Sequence, residues 1–277
     1  MIQVRHSDAV TLLTSLEAGS VRAVIADPPY GIAYHSNYYK ERNPHAPVAN
    51  DWQFEPHVFF EAANRVLCDG GCLFVCTRWD VYPLWSGLVP SGLELKNVIV
   101  WVKDNWSAGD LTGNFGMQHE LIMFITKGRF QRRGHRWPNV WNFPRVPAKK
   151  MRHPTEKPVG LIGRMVEVCA GPGDLIVDPY CGSGTLGEAA REVDPTINVI
   201  LGDIDPKMVR TSCERLHIAL PADLPEEAKD RAPPCPVFRV VPPDPHLWGV
   251  HPEDLAYSLG READLKSPFD ELMDRAD

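Results

Sequence analysis

Six short runs of almost continuous apolar residues punctuate this 277-residue chain. Runs with so few polar positions are typical of strands covered on both faces, as in the sheet of an α/β protein. Stretches with the helical spacing of apolar residues separate several of them, and this alternation predicts a doubly wound, mostly parallel sheet. The predicted strands are Val21–Ala26, Cys72–Thr77, Asn97–Val102, Leu121–Thr126, Leu175–Asp178 and Asn198–Gly202, and the predicted helices are Glu55–Leu67, Val159–Ala170, Gly184–Val193 and Pro206–Leu216.

Three stretches interrupt this alternation. Residues 31–54 and 129–153 are long irregular insertions rich in Pro, Asn, aromatic and basic residues. Long loops in a compact domain are usually functional, so we expect both insertions to contact the substrate. Residues 221–277 hold ten of the 26 prolines and an excess of acidic side chains. The sequence therefore predicts one folded domain over residues 1–220, followed by an acidic, Pro-rich C-terminal tail.

The formal net charge of −7 is unevenly distributed along the chain. Residues 221–277 carry 13 acidic and 6 basic side chains, so residues 1–220 are neutral overall. Within that neutral part, residues 127–157 contain ten Lys and Arg residues and a single acid, with aromatic side chains between them. A basic block interleaved with aromatic residues predicts contact with nucleic acid. The residues that we expect on DNA phosphates are Arg132, Arg133, Arg136, Lys149 and Lys150.

Composition also narrows the class of protein. The chain has neither the apolar h-region of a signal peptide nor an apolar run long enough to cross a membrane, so we expect a cytoplasmic location and no membrane partner. Seven cysteines, an odd number, then predict reduced thiols rather than a disulfide framework. The Cys and His residues lack the spacing of a metal-ligand set, so we expect no metal site.

The segment Gly182-Ser183-Gly184 follows the predicted strand Leu175–Asp178 and opens a predicted helix. Residues with little side-chain bulk let the backbone approach a ligand at such a corner. The next predicted strand leads to Asp203, about 20 residues beyond the glycines, where a carboxylate accepts hydrogen bonds from ribose hydroxyls. The third glycine of a dinucleotide site is missing, which disfavours an NAD-dependent oxidoreductase. This corner therefore predicts an adenosine cofactor without a pyrophosphate.

The segment Asp27-Pro28-Pro29-Tyr30 follows the predicted strand Val21–Ala26. An amino group on a nucleobase is a poor nucleophile because its lone pair is delocalised into the ring. A site that methylates it must accept hydrogen bonds from both N–H groups, so that the lone pair turns toward the incoming methyl group. Asp27 offers a carboxylate, and Pro28 offers a carbonyl whose direction Pro29 restrains. Tyr30 offers a ring on which a base rotated out of the duplex can stack.

Together with His153-Pro154-Thr155-Glu156-Lys157-Pro158, these two corners closely resemble the amino-group (N6-adenine/N4-cytosine) DNA methyltransferases of the beta group, in which the catalytic motif precedes the cofactor motif. The resemblance covers about residues 1–218. It implies a Rossmann-like methyltransferase fold with a permuted motif order, S-adenosylmethionine as the cofactor, and double-stranded DNA as the partner. It leaves open whether the chain forms a homodimer or works with a cognate restriction endonuclease.

The resemblance also implies roles for residues at matching positions. It places Asp27, Pro28, Pro29 and Tyr30 at the target base. It implies that Asp203 binds the cofactor ribose and that Asp8 contacts its adenine. Tyr180 stands where the family commonly has phenylalanine, and we expect it to pack on the cofactor. The implied cofactor residues are Asp8, Thr155, Lys157, Asp178, Tyr180, Gly182, Ser183, Gly184, Thr185, Asp203 and Ile204.

The target atom is a further expectation. By resemblance, an aspartate in the first catalytic position favours adenine N6, with cytosine N4 as the alternative within the class. We expect base flipping and direct transfer of the methyl group to the amino nitrogen, without a covalent enzyme intermediate. A DNA-binding protein that keeps the cofactor fold without turnover is a more distant alternative, against which the intact Asp27 and Tyr30 argue.

Overall fold

The computed structural model describes residues 1–30, 55–106, 113–152 and 155–225. All of them fall within one unit, Met1–Asp230. The predicted insertion 31–54, and the predicted tail beyond residue 225, lie outside the described residues. The strands are β1 Ile2–His6, β2 Val21–Ala26, β3 Leu67–Thr77, β4 Leu93–Val102, β5 His119–Lys127, β6 Val140–Asn142, β7 Leu175–Asp178 and β8 Asn198–Asp203, and the helices are α1 Ala9–Ser15, α2 Pro56–Val66, α3 Tyr82–Ser86, α4 Val159–Cys169, α5 Thr185–Val193 and α6 Pro206–Leu216.

The strands form one sheet in the order β1-β8-β7-β2-β3-β5-β4-β6. Neighbouring strands are parallel except at β5, which runs antiparallel to β3 and to β4. The start of β5 therefore lies at the same edge as the carboxyl ends of the other strands, which we call the carboxyl edge; the opposite edge is the amino edge. This mostly parallel sheet confirms the predicted fold class.

The strands β7 and β2 lie side by side at the point where the chain changes direction across the sheet. From β7 the chain passes through α5 to β8 on one side, and from β2 it reaches β3 on the other side after α2. In doubly wound sheets, ligands bind outside the carboxyl ends of the strands at such a switch point. The topology therefore predicts a ligand crevice between the carboxyl ends of β2 and β7.

Helices cover both faces of the sheet. On one face, α1 and α2 bury Leu13 and Phe60 against a layer that includes Val24 of β2. On the other face, α4 buries Met165 against a layer that includes Ile25, with α5 and α6 beside it. Successive side chains of a strand point to opposite faces, so cover on both sides explains why β2 is apolar almost throughout. Within the described ranges, no helix is long and apolar enough to cross a membrane.

Four elements were not predicted: β1, β6, α1 and α3. In β1, at one edge of the sheet, apolar Ile2 and Val4 alternate with polar residues, so the strand lacks a continuous apolar run. The expectation that 129–153 is irregular throughout is wrong, because this stretch contains β6, which pairs with β4, and a single 3₁₀ turn. A strand of three residues is too short for its periodicity to be recognised.

Arg22 joins three segments at the amino edge. Its Nε donates to the carbonyl of Cys169 at 2.9 Å, its Nη1 to that of Gly70 at 2.7 Å, and its Nη2 to that of Gln131 at 3.3 Å. These carbonyls belong to the end of α4, to β3 and to the segment after β5. Hydrogen bonds from a charged donor are stronger than neutral ones, so this side chain stabilises the packing of α4 and the post-β5 segment against the sheet.

We expect Arg22→Met to lower the free energy of unfolding by about 2 to 3 kcal/mol, because it keeps an unbranched apolar stem and removes the charged donor to three carbonyls. Urea denaturation followed by circular dichroism measures the change. Arg132→Met is the matched control, since among the described residues this exposed side chain donates to the nearby Gly134 carbonyl alone, and we expect a change within about 0.5 kcal/mol. Equal stability of the two variants would contradict the structural role of Arg22.

Candidate active site

Three aspartates meet at the carboxyl edge around the switch point. Asp27 directly follows β2, Asp178 ends β7 and Asp203 ends β8. These strands are neighbours, because β7 pairs with β2 on one side and with β8 on the other. The fold thus brings the predicted catalytic corner and the predicted cofactor corner together, although the described part of the chain between them includes four strands.

The carboxylate of Asp27 is held by two donors from the protein. Its Oδ1 accepts a hydrogen bond from the Tyr30 hydroxyl at 3.1 Å, and its Oδ2 lies 2.6 Å from Nζ of Lys157. The Lys157 side chain is 9% exposed and the Asp27 side chain 25% exposed. Each oxygen of a carboxylate has two acceptor sites, so each Asp27 oxygen keeps one beyond the donors that the described residues supply. Asp27 is therefore oriented by the protein and still accessible to a ligand.

Lys157 lies at the centre of a chain of alternating charges. Its Nζ is also 3.3 Å from Oε2 of Glu120, whose Oε1 accepts from Nζ of Lys103 at 2.6 Å. Burial lowers the pKa of Lys157, but the carboxylates of Asp27 and Glu120 outweigh burial and hold this pKa well above its usual range. Burial raises the pKa of Glu120, but the two lysines reverse the effect and hold it below the usual value. Lys157 and Glu120 therefore stay charged through the neutral range.

Glu120 reaches this site because β5 is reversed. It is the second residue of β5, so the antiparallel direction of the strand carries it to the carboxyl edge. Lys157 comes from elsewhere, in the segment that leads into α4. Glu120 directly precedes the predicted strand Leu121–Thr126, and the predicted site residues did not include it. A strand-opening glutamate is ordinarily solvated, and only the direction of β5 indicates otherwise.

The predicted cofactor corner is a tight turn between β7 and α5. Gly182 and Gly184 have φ angles of 48° and 78°, a left-handed backbone that glycine adopts readily. A Cβ at Gly184 would lie 3.0 Å from the Ser212 hydroxyl, whereas one at Gly182 would meet no atom within 4 Å. The N–H of Gly182 donates to Oδ2 of Asp203 at 2.9 Å. The corner is therefore hydrogen-bonded to the end of β8, and there is space at Gly182 for a ligand.

The aspartates beside this corner, Asp178 and Asp203, are partly buried and their charges interact. Burial raises the pKa of Asp203 to about 6, although the N–H groups of Asp205 and Gly182 oppose this. Burial also raises the pKa of Asp178 well above its usual range, and the carboxylates of Asp27 and Asp203 add to that effect. A cationic ligand with hydroxyl donors would relieve this repulsion. The predicted cofactor fits, since S-adenosylmethionine carries a sulfonium, an ammonium and ribose hydroxyls.

Arg215 of α6 fastens the cofactor corner to the segment that carries Lys157. The Arg215 side chain is 2% exposed, and its Nη1 donates to Oε1 of Glu156 at 2.9 Å. The same Nη1 lies 3.0 Å from the hydroxyls of Ser183 and of Thr185. Sequence reasoning missed Arg215 because an arginine in the last turn of an amphipathic helix is expected at the surface. No sequence signal distinguishes it.

The other predicted cofactor residues also lie at the carboxyl edge. Asp8 and Ile204 follow the neighbouring strands β1 and β8, and both are exposed. Asp8 also caps α1 through its carboxylate. The ring of Tyr180 packs edge-on against Phe59 with 5.6 Å between centroids, and Thr155 is exposed in the segment before α4. Their contacts with the cofactor, like those of Lys157, Ser183 and Thr185, stay predictions.

The basic residues predicted to bind DNA phosphates do not form one surface. Arg132 and Arg133 follow β5, which ends at the amino edge because it is reversed, and the N–H of Arg133 donates to the carbonyl of Val168 near the end of α4 at 2.8 Å. Arg136 is exposed between these residues and β6. The structure thus separates Arg132 and Arg133 from Asp27. Lys149 and Lys150 are exposed in the 3₁₀ turn, which lies along the chain between the carboxyl end of β6 and Lys157. Phosphate contact stays a prediction for all five.

Comparisons with known proteins agree with the geometry. The family model N6_N4_Mtase, described as DNA methylase, matches residues 21–214. The chain is 26% identical over 252 residues to the DNA adenine methyltransferase YhdJ of Escherichia coli (strain K12), a match that covers 77% of this chain and 82% of that protein. It is 23% identical over 222 residues to the Type II methyltransferase M2.MboI of Moraxella bovis, covering 69% of this chain and 79% of that protein.

Solved structures show the same fold. The M1.HpyAVI-SAM complex superimposes with a TM-score of 0.58 at 21% identity, covering 78% of this chain and all (100%) of that chain. The cytosine-N4-specific PvuII DNA methyltransferase superimposes with a TM-score of 0.61 at 16% identity, covering 81% of this chain and 88% of that chain. Because the family model spans well over half of the sequence, this chain belongs to the N6/N4 DNA methylase family and is a DNA methyltransferase that takes its methyl group from S-adenosylmethionine.

Proposed function

We propose that this chain methylates adenine N6 at a specific sequence in duplex DNA, after rotating the target base out of the helix. The observation that carries the proposal is the Asp27-Pro28-Pro29-Tyr30 corner at the switch point, beside the glycine corner and the partly buried Asp178 and Asp203. The aspartate in the first position favours adenine, and the Escherichia coli relative is named an adenine methyltransferase. Cytosine N4 is the second candidate, because the fold also matches the cytosine-N4-specific PvuII enzyme. A second copy of the chain and a cognate endonuclease stay open as partners.

Asp27 and Pro28 act on the amino group of the target base. When bound, S-adenosylmethionine supplies an electrophilic methyl group on its sulfonium. The free acceptor sites of Asp27 and the carbonyl of Pro28 receive the two N–H groups, which frees the nitrogen lone pair for in-line attack. Positive charge grows on that nitrogen during transfer, and the fixed carboxylate stabilises it. The excess proton leaves to solvent after transfer, so no covalent enzyme intermediate forms.

Lys157 and Glu120 position Asp27. The ammonium of Lys157 fixes one carboxylate oxygen, and the Tyr30 hydroxyl fixes the other. A cation this close also draws electron density from the carboxylate and makes it a weaker acceptor for amino protons. Glu120 counters this effect because it shares the same ammonium. We infer that Glu120 keeps Asp27 a strong acceptor while Lys157 keeps it in place.

Asp178 and Asp203 complete the cofactor side of the site. Asp203 accepts backbone N–H groups at both oxygens and retains acceptor sites for the ribose hydroxyls. Asp178 faces the methionine part, where its negative charge complements the ammonium. Both contacts bring positive charge or donors to carboxyl groups whose burial disfavours ionisation. Binding therefore favours the ionised form of each group.

The product of the reaction tests the target atom. We expect tritiated S-adenosylmethionine and unmethylated mixed-sequence duplex DNA to give label in N6-methyldeoxyadenosine after digestion and chromatography. Label in N4-methyldeoxycytidine would overturn the choice of base.

The role of Asp27 has its own test. Asp27→Asn should lower kcat at least a thousandfold and leave the Kd for the cofactor within about threefold, because it removes a charge that acts mainly in the transition state. Asp223→Asn, at an exposed position, is the control with unchanged turnover. Turnover that survives Asp27→Asn would contradict its assignment.

Cofactor affinity should depend on pH through Asp203. Its pKa is about 6 without the cofactor, so the carboxyl group is neutral below that pH and a weaker acceptor for ribose hydroxyls. We expect the Kd from calorimetry to be constant above pH 7 and to rise up to about tenfold per unit as the pH falls below 6.

Asp203→Asn should bind the cofactor more weakly and lose this pH dependence. Asp194→Asn, which alters a partly exposed carboxylate after α5, should behave as the wild type. Full retention of the pH dependence in Asp203→Asn would assign the titration to Asp178 instead.

The role of Glu120 predicts a specific kinetic change. Glu120→Gln should lower kcat about tenfold, equivalent to about 1.4 kcal/mol, and leave the cofactor KM unchanged. Glu120→Asp should recover part of the lost kcat, because it restores a carboxylate beside the Lys157 ammonium. Glu94→Gln is the control, since it breaks an exposed Glu–Lys pair on β4. A loss of cofactor affinity in step with kcat in Glu120→Gln, with no recovery of kcat in Glu120→Asp, would indicate a merely structural effect.

A further inference from the structure

Among the residues that the structure describes, three aromatic side chains are exposed at the carboxyl edge outside the site described above. Trp79 is 51% exposed, Trp106 is 67% exposed and Phe115 is 91% exposed. Trp79 follows the end of β3, Trp106 follows the end of β4, and Phe115 precedes the start of β5. Because β5 is reversed, all three positions lie at the edge that holds Asp27. We call these three residues the aromatic surface.

Contacts between the loops hold the aromatic surface in place. The indole Nε1 of Trp79 donates to Sδ of Met117 at 3.2 Å, and the ring of Trp106 packs directly on Gly116. The segments that carry Trp106 and Phe115 are also paired. The N–H of Lys103 donates to the carbonyl of Gln118 at 2.8 Å, and the side-chain amide of Gln118 donates to the carbonyl of Lys103 at 3.0 Å. The rings are therefore presented to solvent on an organised support. Single exposed apolar residues are common in proteins, but a fixed group of large aromatic rings marks a binding site.

The aromatic surface is linked to the active site. Lys103 directly follows β4, in the segment that leads to Trp106. It also belongs to the chain of alternating charges that continues through Glu120 to Lys157 and Asp27. On the other side, the turn that contains Trp79 leads into α3, whose Trp85 ring lies 6.0 Å from the ring of Tyr30. A ligand on the aromatic surface would thus lie alongside a base bound at Asp27.

A basic segment flanks the aromatic surface. Residues 143–152 contain four Lys and Arg residues and no acid. The N–H of Arg145 donates to the carboxylate of Asp104 at 3.0 Å. This hydrogen bond holds the basic segment beside the residues between β4 and Trp106. Arg145, Lys149 and Lys150 are exposed. Aromatic rings next to exposed cations match the chemistry of a nucleic acid strand, which offers base faces and phosphates.

We propose that the aromatic surface stacks on DNA bases that lose their stacking partner when the target base rotates into the active site. This proposal rests on the DNA methyltransferase function and adds a second base-binding site to it. Extrusion of a base exposes the faces of its neighbours to water, and an aromatic ring that covers them recovers part of the lost stacking energy. Every base has a π face, so this surface contributes affinity without reading sequence.

The test uses the full chain and two DNA strands of equal length and charge. One is a mixed-sequence single strand, and the other is an abasic strand that lacks the bases. We expect the wild type to bind the first more tightly. Trp106→Leu and Phe115→Leu, which keep apolar bulk without a π face, should each weaken binding to the base-bearing strand by roughly fivefold to a hundredfold and leave binding to the abasic strand unchanged. The salt dependence should not change, since no charge is removed.

Two further variants make the result specific. Trp106→Tyr should restore most of the affinity, because it restores a stacking ring. Leu220→Ala, at an exposed apolar residue after α6, should bind both strands as the wild type does. Unchanged affinity of both leucine variants for the base-bearing strand overturns the proposal. The proposal is also overturned if the leucine variants are monomers in sedimentation where the wild type is a dimer, without any loss of DNA affinity. That result would assign the surface to a second copy of the chain.

Failure of the proposal differs from failure of the enzymatic function. If the wild type methylates duplex DNA and the leucine variants bind DNA normally, only the aromatic surface is refuted. If the wild type neither binds nor methylates any DNA, the function itself is refuted, and the aromatic surface with it.

Discussion

The ion pair between Asp27 and Lys157 is the interaction on which the site depends. It joins side chains 130 residues apart, so it forms only after the sheet and the segment before α4 have assembled. Even a partly buried pair such as this one is costly to desolvate, and it stabilises a protein only when its remaining charges and donors are compensated. Glu120 and Lys103 supply that compensation by continuing the alternation of charge. The arrangement makes Asp27 a fixed acceptor that is still open to a ligand.

A second cluster of polar side chains, around Arg215, connects the catalytic corner with the cofactor corner. Arg215 holds Glu156, which precedes Lys157 in the chain, and also contacts the hydroxyls of Ser183 and Thr185 at the cofactor corner. The short segment 155–157 is therefore attached to Asp27 on one side and to the glycine corner on the other. A transfer reaction needs donor and acceptor at a fixed separation, and shared attachment to one segment limits relative movement of the two corners.

The direction of a single strand decides much of this geometry. Because β5 runs opposite to the other strands, its start brings Glu120 to the carboxyl edge and its end takes Arg132 and Arg133 to the amino edge. The same reversal sets Phe115 beside Trp79 and Trp106. A local feature of topology thus separates the basic block of the sequence into two regions, and only the region with Lys149 and Lys150 lies toward the active site.

The sequence by itself determined the fold class, the two corners and the family, because strand periodicity, glycine turns and the Asp-Pro-Pro-Tyr segment are local properties of the chain. It did not reveal β1 or β6, since an edge strand with alternating polarity and a strand of three residues leave little periodicity. Tertiary structure alone decided the partners of Asp27 and the burial of Arg215. Charged side chains are solvated by default, and which of them become buried depends on the order and direction of strands far apart in sequence.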